Sequence, residues 1–338
     1  MTGRERFKAI IRHESDHCGF WHGCPNPASV EKLHAFFSVK DDFELGLKLG
    51  AHCCWMHPGR YHAWTRTDVP MFDVLGGKGR TSLSEAGVFA ETDSIAEIDS
   101  FRWPEVKYLD FTENLNEINR AIEAGQAVLG GMWTSFYHDV SNFFGMENYF
   151  IKMHTDPAIV DAVTRHVADF YLEANEKLFG LAGNKIDAFF FGNDFGSQLD
   201  LLISTDHFDR FVMPYFREFT EQGHSHGYNV VLHSCGSIYR VIPRLIDAGV
   251  EVLHPIQAMA KNMDAKTLAE KYNGKIVFMG GVDTQRILPF GTPGEVRAEV
   301  RRLKDLFGPN FIVSPSHESI LPNVSPENIL AMAETAAE

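Results

Sequence analysis

Residues 230–242 read VVLHSCGSIYRVI, and this stretch decides the fold. Three apolar residues run into His233, Ser234 and Cys235, and a glycine follows. Ile238, Val241, Ile242, Leu245 and Ile246 then recur at helical spacing, so a helix is expected to follow at once. A short apolar strand feeding directly into a helix is the building unit of a parallel α/β sheet. Successive side chains of a strand point to opposite faces, so His233 and Cys235 project the same way. Gly236 lets the backbone turn. An imidazole and a thiol at the carboxyl end of a parallel strand stand where such folds bind ligands. Both groups ligate zinc. A packed or hydrogen-bonded strand end carries the same residues, so the pair alone does not establish a metal site.

Working outward, the same unit recurs. Apolar runs at 17–23, 51–57, 126–136, 186–196, 229–236, 250–257, 275–283 and 310–318 alternate with helical patterns. The helix expected over Pro293–Phe307 has a capping box, with Thr292 as N-cap, Pro293 at the first position and Glu295 three residues after the cap. The last helix, near 325–337, is capped by Ser325 with Pro326 behind it. About eight strand-to-helix units with no dinucleotide-type glycine fingerprint predict an α/β fold, a closed (β/α)8 TIM barrel, with residues 1–338 as a single domain. Residues 61–103 break the rhythm. Gly76, Gly77 and Gly79 between alternating segments predict a β-hairpin insertion, of the kind that often covers a site.

Composition bounds the function. The chain has 338 residues, 44% of them hydrophobic, ample for a large core, and a formal net charge of −14. An acidic surface argues against nucleic acid or an anionic membrane as partner. The five cysteines (18, 24, 53, 54 and 235) are odd in number in a chain too large to need staples, which points to free thiols in a reducing cytoplasm. The amino terminus, MTGRERFKAIIRHES, is charged and amphipathic rather than an apolar signal segment.

In a barrel the residues just after each strand surround one mouth. Here they are Trp21 and His22; Cys53, Cys54 and His57; Asn193 and Asp194; His233 and Cys235; His254; Asp283 and Gln285; His317 and Glu318. Such a concentration of metal-capable and acid–base groups suggests chemistry at that rim. His317, in IVSPSHE, would face the same mouth as His233 and Cys235, and three donors with an open fourth position describe a catalytic zinc. Asp194 and Glu318 are the candidate acid–base groups. Trp21, His22, Asp283 and Gln285 are the remaining candidates for contacts to a cofactor. Of Cys53 and Cys54, one faces the barrel interior and the other the helices. Trp21, Trp55, Trp133 and Phe136 are candidates for an apolar pocket or for core.

The segments IDAFFFGNDFGSQ (186–198), HSCGSI (233–238), GVEVLHPIQ (249–257), FMGGVDTQ (278–285), SPSHESILPNVSPENI (314–329) and the opening MTGRERFKAIIRHE resemble the uroporphyrinogen decarboxylase superfamily. That resemblance implies a (β/α)8 barrel and either of two activities, decarboxylation or zinc-dependent methyl transfer with corrinoid proteins. The true decarboxylases carry an arginine-rich segment near the first strand that grips substrate carboxylates. Here the region reads FWHGCPNP, without arginine, and the second strand reads AHCCWMHPG, without the family's aspartate. Porphyrinogen decarboxylation is therefore not expected. The methyltransferases carry H-x-C where this chain has His233-Ser234-Cys235, and a cysteine as third ligand in the last strand-end loop, where this chain offers His317. One thiolate and two neutral imidazoles leave Zn²⁺ with a net charge of about +1, a stronger Lewis acid that makes a bound thiolate less nucleophilic.

The resemblance and the rim residues together predict a zinc-dependent methyltransferase moving a methyl group between a small substrate, or a thiol or folate acceptor, and a corrinoid. No D-x-H-x-x-G corrinoid-anchoring motif occurs in the chain, so methylcobalamin is expected on a partner corrinoid protein docking at the mouth. A homodimer is compatible with the sequence. Two alternatives remain open: a metal-free decarboxylase or lyase acting on a non-porphyrin substrate, with His233 and His317 as acid–base groups, and a non-catalytic binding barrel.

Overall fold

The computed structural model describes residues 1–56, 63–77, 82 and 85–338. Eight parallel strands form one sheet: β1 (Gly19–Phe20), β2 (Cys53–Trp55), β3 (Ala127–Gly130), β4 (Ala188–Gly192), β5 (Asn229–His233), β6 (Val252–His254), β7 (Val277–Val282) and β8 (Phe311–Pro315). From β2 to β8 each strand pairs with the next in the chain, and β1 pairs with β8, Gly19 lying opposite Ile312. The sheet is a nearly closed (β/α)8 barrel with helices between its strands. At the β1–β2 seam His52 N–H donates to the Phe20 carbonyl at 2.9 Å, and Phe20 N–H donates to His52 Nδ1 at 2.9 Å. A side chain thus supplies part of the ladder where the two-residue β1 meets the three-residue β2.

Two-residue periodicity sorts the strand side chains. Trp21, Cys53, Leu129, Phe190, Val231, Val252, Met279 and Ile312 fill the barrel interior, with Phe7 and Ile10 of the amino-terminal helix Gly3–Ile11 joining them. Alternate residues such as Phe20, Val128, Phe189, Phe191 and Val313 pack outward against the helical layer. Cys53 therefore faces inward and Cys54 packs on the outer layer. Both expected caps are present: Thr292 and Glu295 form a capping box, and the Ser325 hydroxyl accepts from Asn328 N–H.

Two local expectations are corrected. After β5 the helix begins only at Ile242, spanning Ile242–Asp247. Pro243 accounts for this, since proline fits the first helical turn and not a helix interior. The intervening residues form a loop, with Ser237 N–H bound to the Ser197 carbonyl at 2.7 Å and Ser237 Oγ to the Lys261 carbonyl at 2.7 Å. The second correction concerns 61–103. No paired strands occur among the described residues of this segment, although its residues 61, 62, 78–81, 83 and 84 fall outside the description. Met71 and Phe72 are both buried, as are Phe89 and Ala90, a pattern that one-faced alternation cannot produce. Aromatic packing holds the segment instead: Phe89 stacks on Phe143 at 5.4 Å, and Phe72 meets Phe170 at 5.3 Å.

No helix among the described residues is long and apolar enough to cross a membrane. All five cysteines are free thiols.

Candidate metal centre

His233 is the last residue of β5 and, two residues after the inward Val231, points into the mouth. It is 4% exposed, and both ring nitrogens are engaged. On one side Nε2 lies 3.3 Å from Cys235 Sγ and 3.3 Å from Asp194 Oδ1. On the other, Nδ1 lies 3.1 Å from His254 Nδ1 and 3.5 Å from Glu318 Oε2. His233 thus belongs to two groups of metal-capable atoms, Asp194–His233–Cys235 and His233–His254–Glu318, each within 4.8 Å throughout.

The loop after β4 brings in Asp194. Its Oδ1 accepts the Cys235 N–H at 2.8 Å, and its own N–H donates to His138 Nε2 at 2.8 Å. Gly236 makes this turn feasible. Its φ is +83°, and a Cβ there would sit 2.2 Å from the Gly196 carbonyl oxygen. Gly236 N–H donates to Gln257 Oε1 at 2.9 Å, tying the β5 loop to the β6 loop. Glu318 is positioned from across the barrel. Cys24–Pro25 pairs with Ser319–Ile320, and Cys24 N–H donates to the Glu318 carbonyl at 2.6 Å, so the loops after β1 and β8 lie side by side.

The electrostatics follow from these contacts. Burial opposes protonation of His233, but Glu318, Asp194 and Cys235 outweigh it and hold its pKa well above the usual value. His254 goes the other way: burial first, then the neighbouring His233 and His317, push it well below the usual value, so its ring is neutral. Their contact is then a hydrogen bond from His233 Nδ1–H to His254 Nδ1. Burial opposes ionisation of Asp194, but His233, the Cys235 N–H and His138 hold its carboxyl below the usual range. Burial raises the Cys235 thiol, and His233 partly offsets it. Glu318 Oε2 and His254 Nε2 are buried without a hydrogen-bond partner, and both residues belong to the second group.

Of the residues singled out from sequence, four converge: Asp194, His233, Cys235 and Glu318. His317 sits beside them, its ring 6.2 Å from that of His233, but in neither metal-capable group. Its Nδ1 accepts the Ser319 N–H at 3.1 Å and lies 3.4 Å from Glu318 Oε2, so it borders the cluster through Glu318. Trp21 packs edge-on against His254 at 5.3 Å. His22 is buried against the helix Asp42–Lys48, where a Cβ at Gly46 would lie 3.0 Å from its Cε1. Asp283 Oδ1 accepts the Gln285 N–H at 2.7 Å, closing a turn, and Gln285 is exposed. His57 lies outside the described residues. Sequence reasoning missed His138 and Gln257, and left His254 as one rim residue among many. His254 had a signal, since β6 ends at the same level as β5 and His254 pairs with His233 in register. His138 and Gln257 had none, being placed by a helix and a loop.

A cavity of about 810 Å³ opens at the β1–β2 side of the mouth, lined by Trp21, Cys53, Trp55 and Trp133 from the interior and by His22, Phe43 and Arg120 from outside. The Trp133 ring stands between it and the cluster, 5.3 Å from the His233 ring.

The family model described as Uroporphyrinogen decarboxylase (URO-D) matches residues 87–338, three quarters of the chain. The chain belongs to the uroporphyrinogen decarboxylase family. Among solved structures, a methyltransferase from Methanosarcina mazei superposes with a TM-score of 0.66 at 16% identity, covering 100% of this chain and 98% of that one. At that identity the likeness is one of fold. No curated protein matches the chain. Within the URO-D fold the cluster occupies the carboxyl ends of β4, β5, β6 and β8, where barrel enzymes place their chemistry.

Proposed function

We propose that this URO-D family protein is a zinc-dependent methyltransferase that moves a methyl group between a small substrate or a thiol or folate acceptor and a corrinoid carried by a partner protein. The observation that supports it most is the tripod at the mouth: Cys235 Sγ and Asp194 Oδ1 each 3.3 Å from His233 Nε2. Donors on a tetrahedral zinc with bonds of about 2.0–2.3 Å stand roughly 3.3–3.6 Å apart, so the donor set fits the ion in type and spacing. The fold likeness to a methyltransferase points the same way.

In this reading Asp194, expected as a proton carrier, is the third donor, and His317 is not. A thiolate and a carboxylate balance the ion's charge, in contrast to the +1 centre that His317 would leave. When bound, zinc would act as a Lewis acid, lowering the pKa of an acceptor or polarising a methyl donor. His254 fixes the His233 ring by accepting its Nδ1–H, which leaves Nε2 as the ligating nitrogen. Asp194, held ionised, is a poor proton acceptor at neutral pH. Glu318, with one buried oxygen lacking a hydrogen-bond partner, is then the carboxylate left to take up or return a proton of the substrate. The corrinoid reaches the mouth from the partner.

A second reading rests on His233 being held protonated between carboxylates. A metal-free decarboxylase or lyase would use such a group as a general acid. One experiment separates the two. Purified protein is analysed for zinc, and methyl transfer to cob(I)alamin is followed by absorbance, for the parent chain and His233→Ala. Stoichiometric zinc lost with His233, together with lost transfer, is the expected result. A zinc-free protein with unchanged activity ends the methyltransferase reading.

A further inference from the structure

The aromatic wall of the cavity defines a class of ligand. Trp55 and Trp133 line it with half-buried rings, and Trp21 and Phe190 are buried behind them. Trp55 and Trp133 are 5.0 Å apart and tilted by 47°, while Trp21 meets Trp55 edge-on at 6.3 Å and 80°. The Trp55 and Trp133 rings therefore present differently oriented surfaces to one space rather than a single flat stack. The position of Trp133 is built into the backbone, because a Cβ at Gly192 would lie 2.1 Å from its ring.

Charge adds a second, independent observation. The cavity lining holds three carboxylates, Asp41, Asp42 and Glu117, against one permanent cation, Arg120, with Asp42 also 2.7 Å from His34 Nε2. Arg120 is already bound to Asp41 at 2.7 Å and stacked 4.2 Å over Phe43. An anionic ligand would meet net repulsion here, whereas a neutral one would gain only apolar contact. A cation of low hydration gains on both counts, since electron-rich ring faces attract it and the carboxylates offset its charge.

We infer that the cavity binds a methylated ammonium headgroup, held by Trp55 and Trp133, with the Trp133 ring between it and His233. This deepens the proposed methyltransferase reading by naming the substrate class, and its role in catalysis rests on that reading, but binding itself does not. The volume of about 810 Å³ leaves room for a substituent on the headgroup beyond its methyl groups.

The test uses the intact chain, without added metal or corrinoid, and two probes of nearly the same shape: choline and its neutral carbon isostere 3,3-dimethylbutan-1-ol. Binding is read by calorimetry and tryptophan fluorescence. Choline is expected to bind at least about tenfold more tightly than the isostere. Trp55→Leu should remove most of that preference, and Glu117→Gln, a milder change, should weaken choline a few-fold without affecting the isostere. Equal affinities for the two probes, no binding of either, or a choline preference that survives both substitutions overturns the proposal. The two failures are distinguishable. Choline selectivity in a protein without zinc or methyl transfer leaves the binding site standing and the methyltransferase reading fallen, and zinc-dependent transfer with no charge preference does the reverse.

Discussion

Asp187 and Asp194 stand at the two ends of one strand, β4, and their surroundings differ in kind. At the amino-terminal end Asp187 is buried, and its carboxylate is fully occupied. Arg4 Nε donates at 2.8 Å, Lys8 Nζ lies 3.0 Å away, and the Val128 N–H donates at 3.0 Å. At the carboxyl-terminal end Asp194 meets two histidines and the Cys235 amide, and no lysine or arginine among the described residues. Permanent cations close the lower site, while the upper one is balanced by groups that gain and lose protons. A buried carboxylate with fixed partners serves stability, and one whose partners are exchangeable is open to a ligand.

Breaking each end tests this contrast. The largest effect expected is at the mouth. Cys235→Ala should lower zinc affinity by roughly 10³-fold or more, one ligand's share of a total near 10–16 kcal/mol. Its metal-free unfolding free energy should change by less than about 1 kcal/mol. Isothermal titration with zinc and urea unfolding provide the two readings, and a large loss of stability with zinc binding intact would erase the distinction between the ends.

Asp187→Asn should do the opposite. We expect a loss of about 2–3 kcal/mol in urea unfolding, below the full cost of a broken buried pair because Arg4 and Lys8 reach solvent, with zinc affinity unchanged.

Acid sharpens the comparison further. His52, whose Nδ1 must accept the Phe20 N–H, has its pKa pushed down to about 4, chiefly by burial, and burial does the same to His22. Both bind protons more readily when unfolded, so their contribution is present above about pH 6.5 and is lost as pH falls towards 4. His233 has the reverse sign. Its raised pKa gives the metal-free protein stability that is present below pH 6.5 and lost as pH rises through the folded value. Urea midpoints measured across pH should therefore decline on the acid side in the parent and less so in His52→Asn. The alkaline decline should vanish in His233→Ala.

The smallest effect expected is that of His317→Asn. Standing outside both metal-capable groups, His317 should alter zinc affinity by less than about tenfold. A loss comparable to that of Cys235→Ala would restore His317 as the third ligand in place of Asp194.

Much of the architecture was legible in the chain because it rests on local periodicity. Alternating apolar strands and 3.6-residue patterns identified the barrel, and a two-residue repeat put His233 and Cys235 on one side, where their side chains meet. The late start of the helix after β5 was legible too, in Pro243, but the apolar spacing from Ile238 obscured it. The segment 61–103 was misread because its glycines resemble hairpin turns, whereas its burial comes from contacts with Phe143 and Phe170 far along the chain. Cluster membership was the least legible of all.

By itself, the sequence determined the fold, the inward projection of the imidazole–thiol pair and the lack of arginine near the first strand. Each follows from residue type and spacing over a few positions. Only the tertiary structure decided that Asp194, His254 and Glu318 close around His233 while His317 stands beside Glu318. Those choices depend on loop-to-loop hydrogen bonds, Cys24 to Glu318, Gly236 to Gln257 and Ser237 to Ser197, that join residues brought together only once the barrel has closed.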